Sequence, residues 1–378
     1  MFAAPPARTI GLIVNPIAGM GGRVGLKGTD GAAALAEARR RGALPAAHER
    51  VMKALARLAG YARPLVVLTA AGALGEDAAR QAGLAPTIVH TPASAASSAD
   101  DTRAAARAML ERGVDLLLFA GGDGTARDIL DVVQDRIPIL GIPAGVKMVS
   151  AVFGTTPANV GTLAALLLAG DHSVGVRDAE VMDIDEDAMR GDRVSTRLYG
   201  YAHSPYAAAL AQNAKAGSSQ RADVALEAAC RQVAREMAPG RLYIMGPGST
   251  TRRVMSALSL PATLLGVDAV IDGKLAGADL AEADLLRLMQ GREASLVVGV
   301  LGGHGSLFGR GNQQISSAVI RRVKREDINV VASMDKLLAL SPRALHVDTG
   351  DEALDAALVG HLRVRTAPDR SILFRVAS

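Results

Sequence analysis

The chain has no tryptophan, and aromatic residues make up 3% of its 378 positions. Proteins that hold single-stranded nucleic acid stack the bases on aromatic side chains, so residues for a platform of that kind are scarce. There is one cysteine, Cys230. A single thiol forms no intramolecular disulfide, and no Cys/His spacing of a metal site accompanies it. Cys230 therefore reads as a small core residue, and the usage fits a reducing, cytoplasmic setting. An excess of one charge is missing too. The 42 Lys and Arg are nearly balanced by 38 Asp and Glu, for a net charge of +4 with both signs interspersed. No polybasic footprint for nucleic acid is present. Long hydrophobic runs are also absent. The apolar residues 10–14 run straight into Asn15-Pro16, too short for a secretory signal. The uncharged stretch 148–170 carries Gly154, Thr155, Thr156, Pro157 and Asn159 in its middle. It is expected to form two short helices with a break, not a membrane span of about 20 apolar residues.

What the chain does have is a large apolar fraction, 49%, with 21% charged residues, the balance of a globular protein. Its length suits two domains, and 40 glycines imply many tight turns. The chain is organised around residues 116–131, LLLFAGGDGTARDILD. Leu116 to Phe119 form a buried-strand run, and Ala126, Ile129, Leu130 and Val133 recur at helical spacing. Between them lies Gly121-Gly122-Asp123-Gly124-Thr125. In an open parallel sheet, ligands bind at the carboxyl ends of strands, where such turns sit. Glycines let backbone N–H groups approach a phosphate, and the helix N-terminus adds partial positive charge. A carboxylate beside a phosphate is repelled unless it holds a metal or accepts a proton from an attacking hydroxyl. Asp123 reads as one of these, or as the cap of its helix.

Apolar runs at 9–14, 64–69, 87–90, 115–120 and 137–142 alternate with helical patterns, which implies a mostly parallel sheet with right-handed crossovers. Ser98 or Asp100 is expected to cap the helix ending near Gly113. The first strand ends in Asn15-Pro16-Ile17-Ala18-Gly19-Met20-Gly21-Gly22, and Lys27 and Asp30 follow in a loop. The fifth ends in Gly141-Ile142-Pro143-Ala144-Gly145-Val146-Lys147, where Lys147 is a candidate contact for a phosphoryl oxygen. Residues 178–185 alternate acidic and apolar, Arg190-Gly191-Asp192 is a turn, and 194–202 alternate again, which reads as an antiparallel hairpin. Its acidic residues lie on a solvated strand, and His203 is expected at a helix entry. A strand at 242–245 leads into Gly246-Pro247-Gly248-Ser249-Thr250-Thr251, a third small-residue loop before a helix. Another strand, 296–301, leads into GGHGSLFGRGNQQ. There His304 offers a proton relay, and Arg310, Asn312 and Gln313 offer donors for a phosphate or a base edge. A helix is expected over 315–323.

GGDGT after an apolar strand resembles the signature of NAD kinases, diacylglycerol and sphingosine kinases and, more loosely, 6-phosphofructokinases. With NPIAGMGG, GIPAGVK, GPGSTT and GGHGSLFGRGNQQ beside it, the chain most resembles a divergent branch of the ATP–NAD kinase family, from residue 10 to about 323. Lipid kinases resemble the chain less, because Val146-Lys147 stands where they carry Gly-Thr and no Asn-Asp follows. The resemblance implies an α/β fold: a doubly wound, mostly parallel N-terminal sheet and a second domain richer in antiparallel strands. The domains are expected at 1–155, 156–310 and 311–378, the last packing back partly on the first, with the nucleotide cleft between the first two. ATP and Mg²⁺ would phosphorylate the adenosine ribose 2′-hydroxyl of NAD, with Asp123 as base or metal ligand. Gly121, Gly122, Gly124, Thr125, Pro143, Gly145 and Lys147 would bind phosphate, supported by Asn15, Gly19, Gly21, Gly22 and residues 246–251. The Asn-Glu or Asn-Asp pair by which NAD kinases grip the acceptor ribose has no counterpart here. Another hydroxylated metabolite or a lipid therefore stays open as acceptor, as does a regulatory nucleotide binder without turnover. A homo-oligomer is implied, with neither nucleic acid nor membrane as partner.

Overall fold

The computed structural model describes residues 7–26, 32–58, 64–94, 97–146, 148–184, 196–207 and 220–378. The expected positions Lys27, Asp30 and Lys147 and the turn 190–192 lie outside them. The chain forms two compact units: Met1–Gly19, Leu44–Glu186 and Val194–Gln212 make the first, and Met20–Ala43, Asp187–Arg193 and Asn213–Ser378 the second.

The first unit is built on a five-stranded sheet, β1 (Arg8–Val14), β2 (Leu65–Ala70), β3 (Thr87–His90), β4 (Leu116–Gly121) and β5 (Ile139–Pro143), in the order β3-β2-β1-β4-β5. Every pairing in it is parallel. The chain leaves β1 toward β2 and β3, then returns to the other side of β1 with β4 and β5. The winding reverses between β1 and β4. Side chains alternate across the sheet, and both faces are covered, as the apolar runs of a parallel sheet imply. Ile10, Leu12, Val14, Leu116 and Leu118 join one core with Val51, Leu55 and Leu163. Ile13, Leu117 and Phe119 join the other with Met109, Ile129 and Val133. The helices that supply these residues are α2 (Ala47–Leu58), α4 (Ala99–Glu111), α5 (Asp123–Val133) and α6 (Pro157–Ala169); α3 (Glu76–Gln81) lies between β2 and β3, and α1 (Ala32–Arg40) belongs to the second unit. Ser98 caps α4 in a reciprocal box with Asp101.

Residues 148–170 hold one helix, not the two expected. Thr156 caps α6, Pro157 fills its first turn, and Gly170 closes it in a left-handed conformation (φ 74°). The preceding residues cannot coil because their N–H groups are engaged elsewhere. Val149 and Ser150 donate to Asp123, Ala151 to the Glu180 carbonyl at 2.7 Å, and Gly154 to the Gly141 carbonyl at 3.1 Å. The hairpin is present, as β6 (Gly175–Ile184) and β7 (Thr196–Tyr206). His203 lies within β7 opposite Asp178, not at a helix entry.

The second unit carries a nine-stranded mixed sheet, ordered β10-β9-β8-β11-β13-β15-β16-β14-β12. Its strands are β8 (Leu242–Met245), β9 (Asp268–Ile271), β10 (Lys274–Gly277), β11 (Ala294–Gly299), β12 (Ser306–Phe308), β13 (Ile328–Val331), β14 (Leu345–Val347), β15 (Gly360–Ala367) and β16 (Arg370–Ala377). β8, β11, β13 and β15 run parallel, while β9, β10 and β16 add the antiparallel pairings. Among its helices are α7 (Gln220–Arg235), α8 (Ser249–Ala257), α9 (Glu282–Leu288), α10 (Ser317–Ile320), α11 (Met334–Ala339) and α12 (Glu352–Leu358). The helix expected over 315–323 is thus only the short α10. Cys230 is buried among Val233, Met245, Val254 and Val297, as a core residue should be, and burial pushes its thiol up to about 12. Among the described residues, no helix is long and apolar enough to cross a membrane.

Candidate active site

Three loops of the first unit leave the carboxyl ends of β1, β4 and β5, at the place where the winding reverses. Ligands of open α/β sheets gather at such a point. The loops are tied to one another by named contacts. Asn15, just past β1, donates its backbone N–H to the Ala120 carbonyl at 2.8 Å and its side-chain amide to Thr125 Oγ1 at 3.1 Å. Ala144 and Gly145, just past β5, both donate to the Gly121 carbonyl, at 3.1 and 2.9 Å. Gly19 has φ +77°, and a Cβ there would overlap the Ala144 carbonyl oxygen. A Cβ on Gly145 would stand 2.8 Å from Gly122 Cα. Small residues at these positions are therefore a packing requirement of the loop cluster, whatever they bind. Arg50 of α2 donates to the Pro143 carbonyl and so sets a cation beside the third loop. Nothing around position 50 in the sequence signals this.

Asp123 opens α5, with Gly122 as the extended N-cap residue. It is 6% exposed. Its Oδ2 accepts from Val149 N at 2.8 Å, and its Oδ1 from Ser150 N at 3.0 Å and Ser150 Oγ at 2.5 Å. Ser150, fully buried, also accepts from Met182 N at 2.9 Å and lies 3.0 Å from the Met182 carbonyl. A hydroxyl has one proton. Ser150 therefore has two acceptors for a single donor, the Asp123 carboxylate and the Met182 carbonyl. Sequence reasoning missed Ser150, since a serine in an uncharged stretch carries no motif. Gly124 and Thr125 lie in the first turn of α5, and Thr125 is buried under Gly121.

Gly246 and Gly248 join β8 to α8, with Gly248 (φ +119°) as N-cap residue. Pro247 lies between them, and Ser249, Thr250 and Thr251 form the first turn of α8. Thr251 Oγ1 donates to the Gly248 carbonyl at 3.0 Å. Gly21 accepts from Leu26 N at 2.9 Å, and a Cβ on Gly22 would meet Gln313 Cβ at 3.0 Å. Asn312 is a structural clasp: its amide donates to the Leu307 carbonyl at 2.8 Å and its Oδ1 accepts from Gly309 N at 3.0 Å. His304 and Arg310 are buried. Among the described residues, no three His, Cys, Asp or Glu gather as a metal cluster. With three hydrogen bonds already on Asp123, the protein's own donors do not fit a resident divalent cation.

Residues 10–172 match the model of the ATP-NAD kinase N-terminal domain, and residues 240–376 that of the ATP-NAD kinase C-terminal domain. No curated protein matches the chain. A solved structure named "A putative diacylglycerol kinase from Bacillus anthracis str. Sterne" is 19% identical, with a TM-score of 0.26. The match covers 47% of this chain and 45% of that one, so the chain spans less than half the length of that relative.

Proposed function

Because the chain belongs to the ATP–NAD kinase family, and so to proteins of kinase-type phosphoryl transfer, we propose that it makes NADP. The ribose 2′-hydroxyl of NAD attacks the γ-phosphorus of ATP, the bond to the bridging oxygen of ADP breaks, and the hydroxyl proton passes to Asp123. The observation that carries this reading is the position of Asp123. It opens a helix at the reversal point of the sheet, inside a cluster of three glycine loops. The N–H groups of the first turn of α5 suit phosphoryl oxygens there, and positioning with charge stabilisation supplies most of the rate. Gly121, Gly122, Gly124, Thr125, Pro143 and Gly145 serve as the phosphate cradle, and Asn15 and Gly19 brace it. Mg²⁺ enters as part of the MgATP substrate. The acceptor hydroxyl takes the place of the Ser150 proton on Asp123, while Ser150 turns to the Met182 carbonyl and keeps a hydrogen bond throughout. With this reading go NAD as partner and a cytoplasmic homo-oligomer.

One observation favours a second reading. A carboxylate that already accepts three hydrogen bonds also serves as a structural tie, which suits a nucleotide-binding protein without turnover. Incubation with ATP, Mg²⁺ and NAD, beside Asp123→Asn, separates the two. NADP formed by the wild type and lost by at least about a hundredfold in the variant is the expected result. Nucleotide binding with no product from NAD or from any other hydroxylated acceptor would replace the kinase reading with the binder.

A further inference from the structure

The second unit holds a buried polar layer that the reaction above does not use. His304 is 6% exposed and His346 is 5% exposed. No ring nitrogen of either has a hydrogen-bond partner. The backbone makes them neighbours. Strand β12 pairs parallel with β14, Ser306 stands opposite His346, and the His346 N–H donates to the Gly305 carbonyl at 2.9 Å. Gly302, an exposed residue, lies against the His304 ring; a Cβ there would stand 2.5 Å from Cε1 and 2.7 Å from Nδ1. The ring edge carrying Nδ1 is thus roofed by a residue with no side chain.

A buried polar group without a partner costs about 1–3 kcal/mol. Two such imidazoles side by side call for something that completes them. The surrounding charge says what. Burial holds His304 neutral, and the Arg310 and Lys336 cations act in the same direction. Burial does the same to His346, helped by Arg375. A divalent cation would enter a region already positive, and among the described residues no third His, Cys, Asp or Glu joins the pair as a ligand cluster. An oxyanion has the opposite balance. It is attracted by these cations and accepts from the N–H that each neutral imidazole keeps.

We propose that His304 and His346, with Arg310 beside them, form an oxyanion site that holds a phosphoryl group. The group is inorganic phosphate or the terminal phosphate of a nucleotide, two sources of one chemistry. The inference does not depend on NAD as acceptor or on turnover, since Asp123 belongs to the other unit.

The test uses the full chain with inorganic phosphate, at an ionic strength fixed with chloride. Imidazole ¹⁵N resonances and calorimetry give the response. Phosphate is expected to shift both imidazole signals, and His304→Asn to weaken binding about tenfold or more. Loss of NADP formation in Asp123→Asn tests the kinase reading, and the imidazole shifts test this one, so the two can fail separately. Competition by ADP would assign the site to a nucleotide phosphate, and failure of ADP to compete would assign it to free phosphate. If His304→Asn does not fold, His346→Asn carries the same expectation. Imidazole signals unmoved by phosphate and by ADP, or both folded variants binding phosphate as the wild type does, would overturn the proposal.

Discussion

Under the kinase reading, Ser150 is the residue on which the first unit's chemistry turns. Its hydroxyl holds Asp123 Oδ1 at 2.5 Å and has the Met182 carbonyl as its alternative at 3.0 Å. Ser150→Ala removes that exchange but leaves the backbone donors Val149 N and Ser150 N in place. The expected result is a kcat about tenfold or more lower, with KM for NAD changed less than about threefold, because the carboxylate is misplaced while the acceptor's other contacts persist. A rise in KM at constant kcat would show that Ser150 serves binding instead. The buried histidines make a prediction about acid. His346 falls from 6.5 to about 4 on folding, chiefly through burial. Above pH 6.5 it is neutral in both states and adds no pH dependence. As pH falls from 6.5 to 4, the unfolded chain takes up a proton that the folded one refuses, so stability is lost, up to about 3 kcal/mol, and levels off below 4. His304 acts in the same direction. Urea unfolding in phosphate-free buffer at pH 7, 5.5 and 4 should show less acid sensitivity in His346→Gln than in the wild type. Equal slopes would refute this.

At the scale of elements, α2 and α6 of the first unit pack closely at Gly161. A Cβ on Gly161 would overlap the Ala54 carbonyl oxygen and stand 2.8 Å from Arg57 Cβ. Helix propensity alone favours alanine at such a position by about 1 kcal/mol. The overlap is with backbone, which cannot rotate away, and overpacking of that kind costs about 1–3 kcal/mol. Gly161→Ala should therefore lower Tm; a raised Tm would mean that the two helices can move apart. The strands at 9–14, 116–119 and 137–142 were legible because a parallel sheet is buried on both faces and reads as unbroken apolar runs. The three loops were legible because strand ends in such a sheet share one edge. What stayed hidden depends on distant partners. The coil before α6 is explained by N–H groups spent on Asp123, Glu180 and Gly141, none of which local periodicity reports. His203 was misplaced because its strand, β7, runs on past the alternating stretch to Tyr206. The neighbours His304 and His346 meet through a parallel pairing of two three-residue strands, too short to leave a pattern.

For the whole molecule, the division of the chain matters more than the count of its strands. Met20–Ala43 lies early in the sequence yet belongs to the unit completed by Asn213–Ser378. Within that unit, Glu282 N donates to the Arg23 carbonyl at 3.1 Å and Gly22 packs on Gln313. A fragment beginning at residue 213 should thus be measurably less stable to urea and protease than the same residues in the full chain, and equal resistance would count against the division. The arrangement also sets an order of events at the ribosome. The first unit has all its segments once residue 212 has emerged, but Gly22 must wait for Gln313. At roughly 5–20 residues per second, that wait is roughly 15–60 seconds. Throughout it, Gly22 lacks the Gln313 side chain it packs against, which makes this early stretch the natural first target of a chaperone or a protease on the nascent chain.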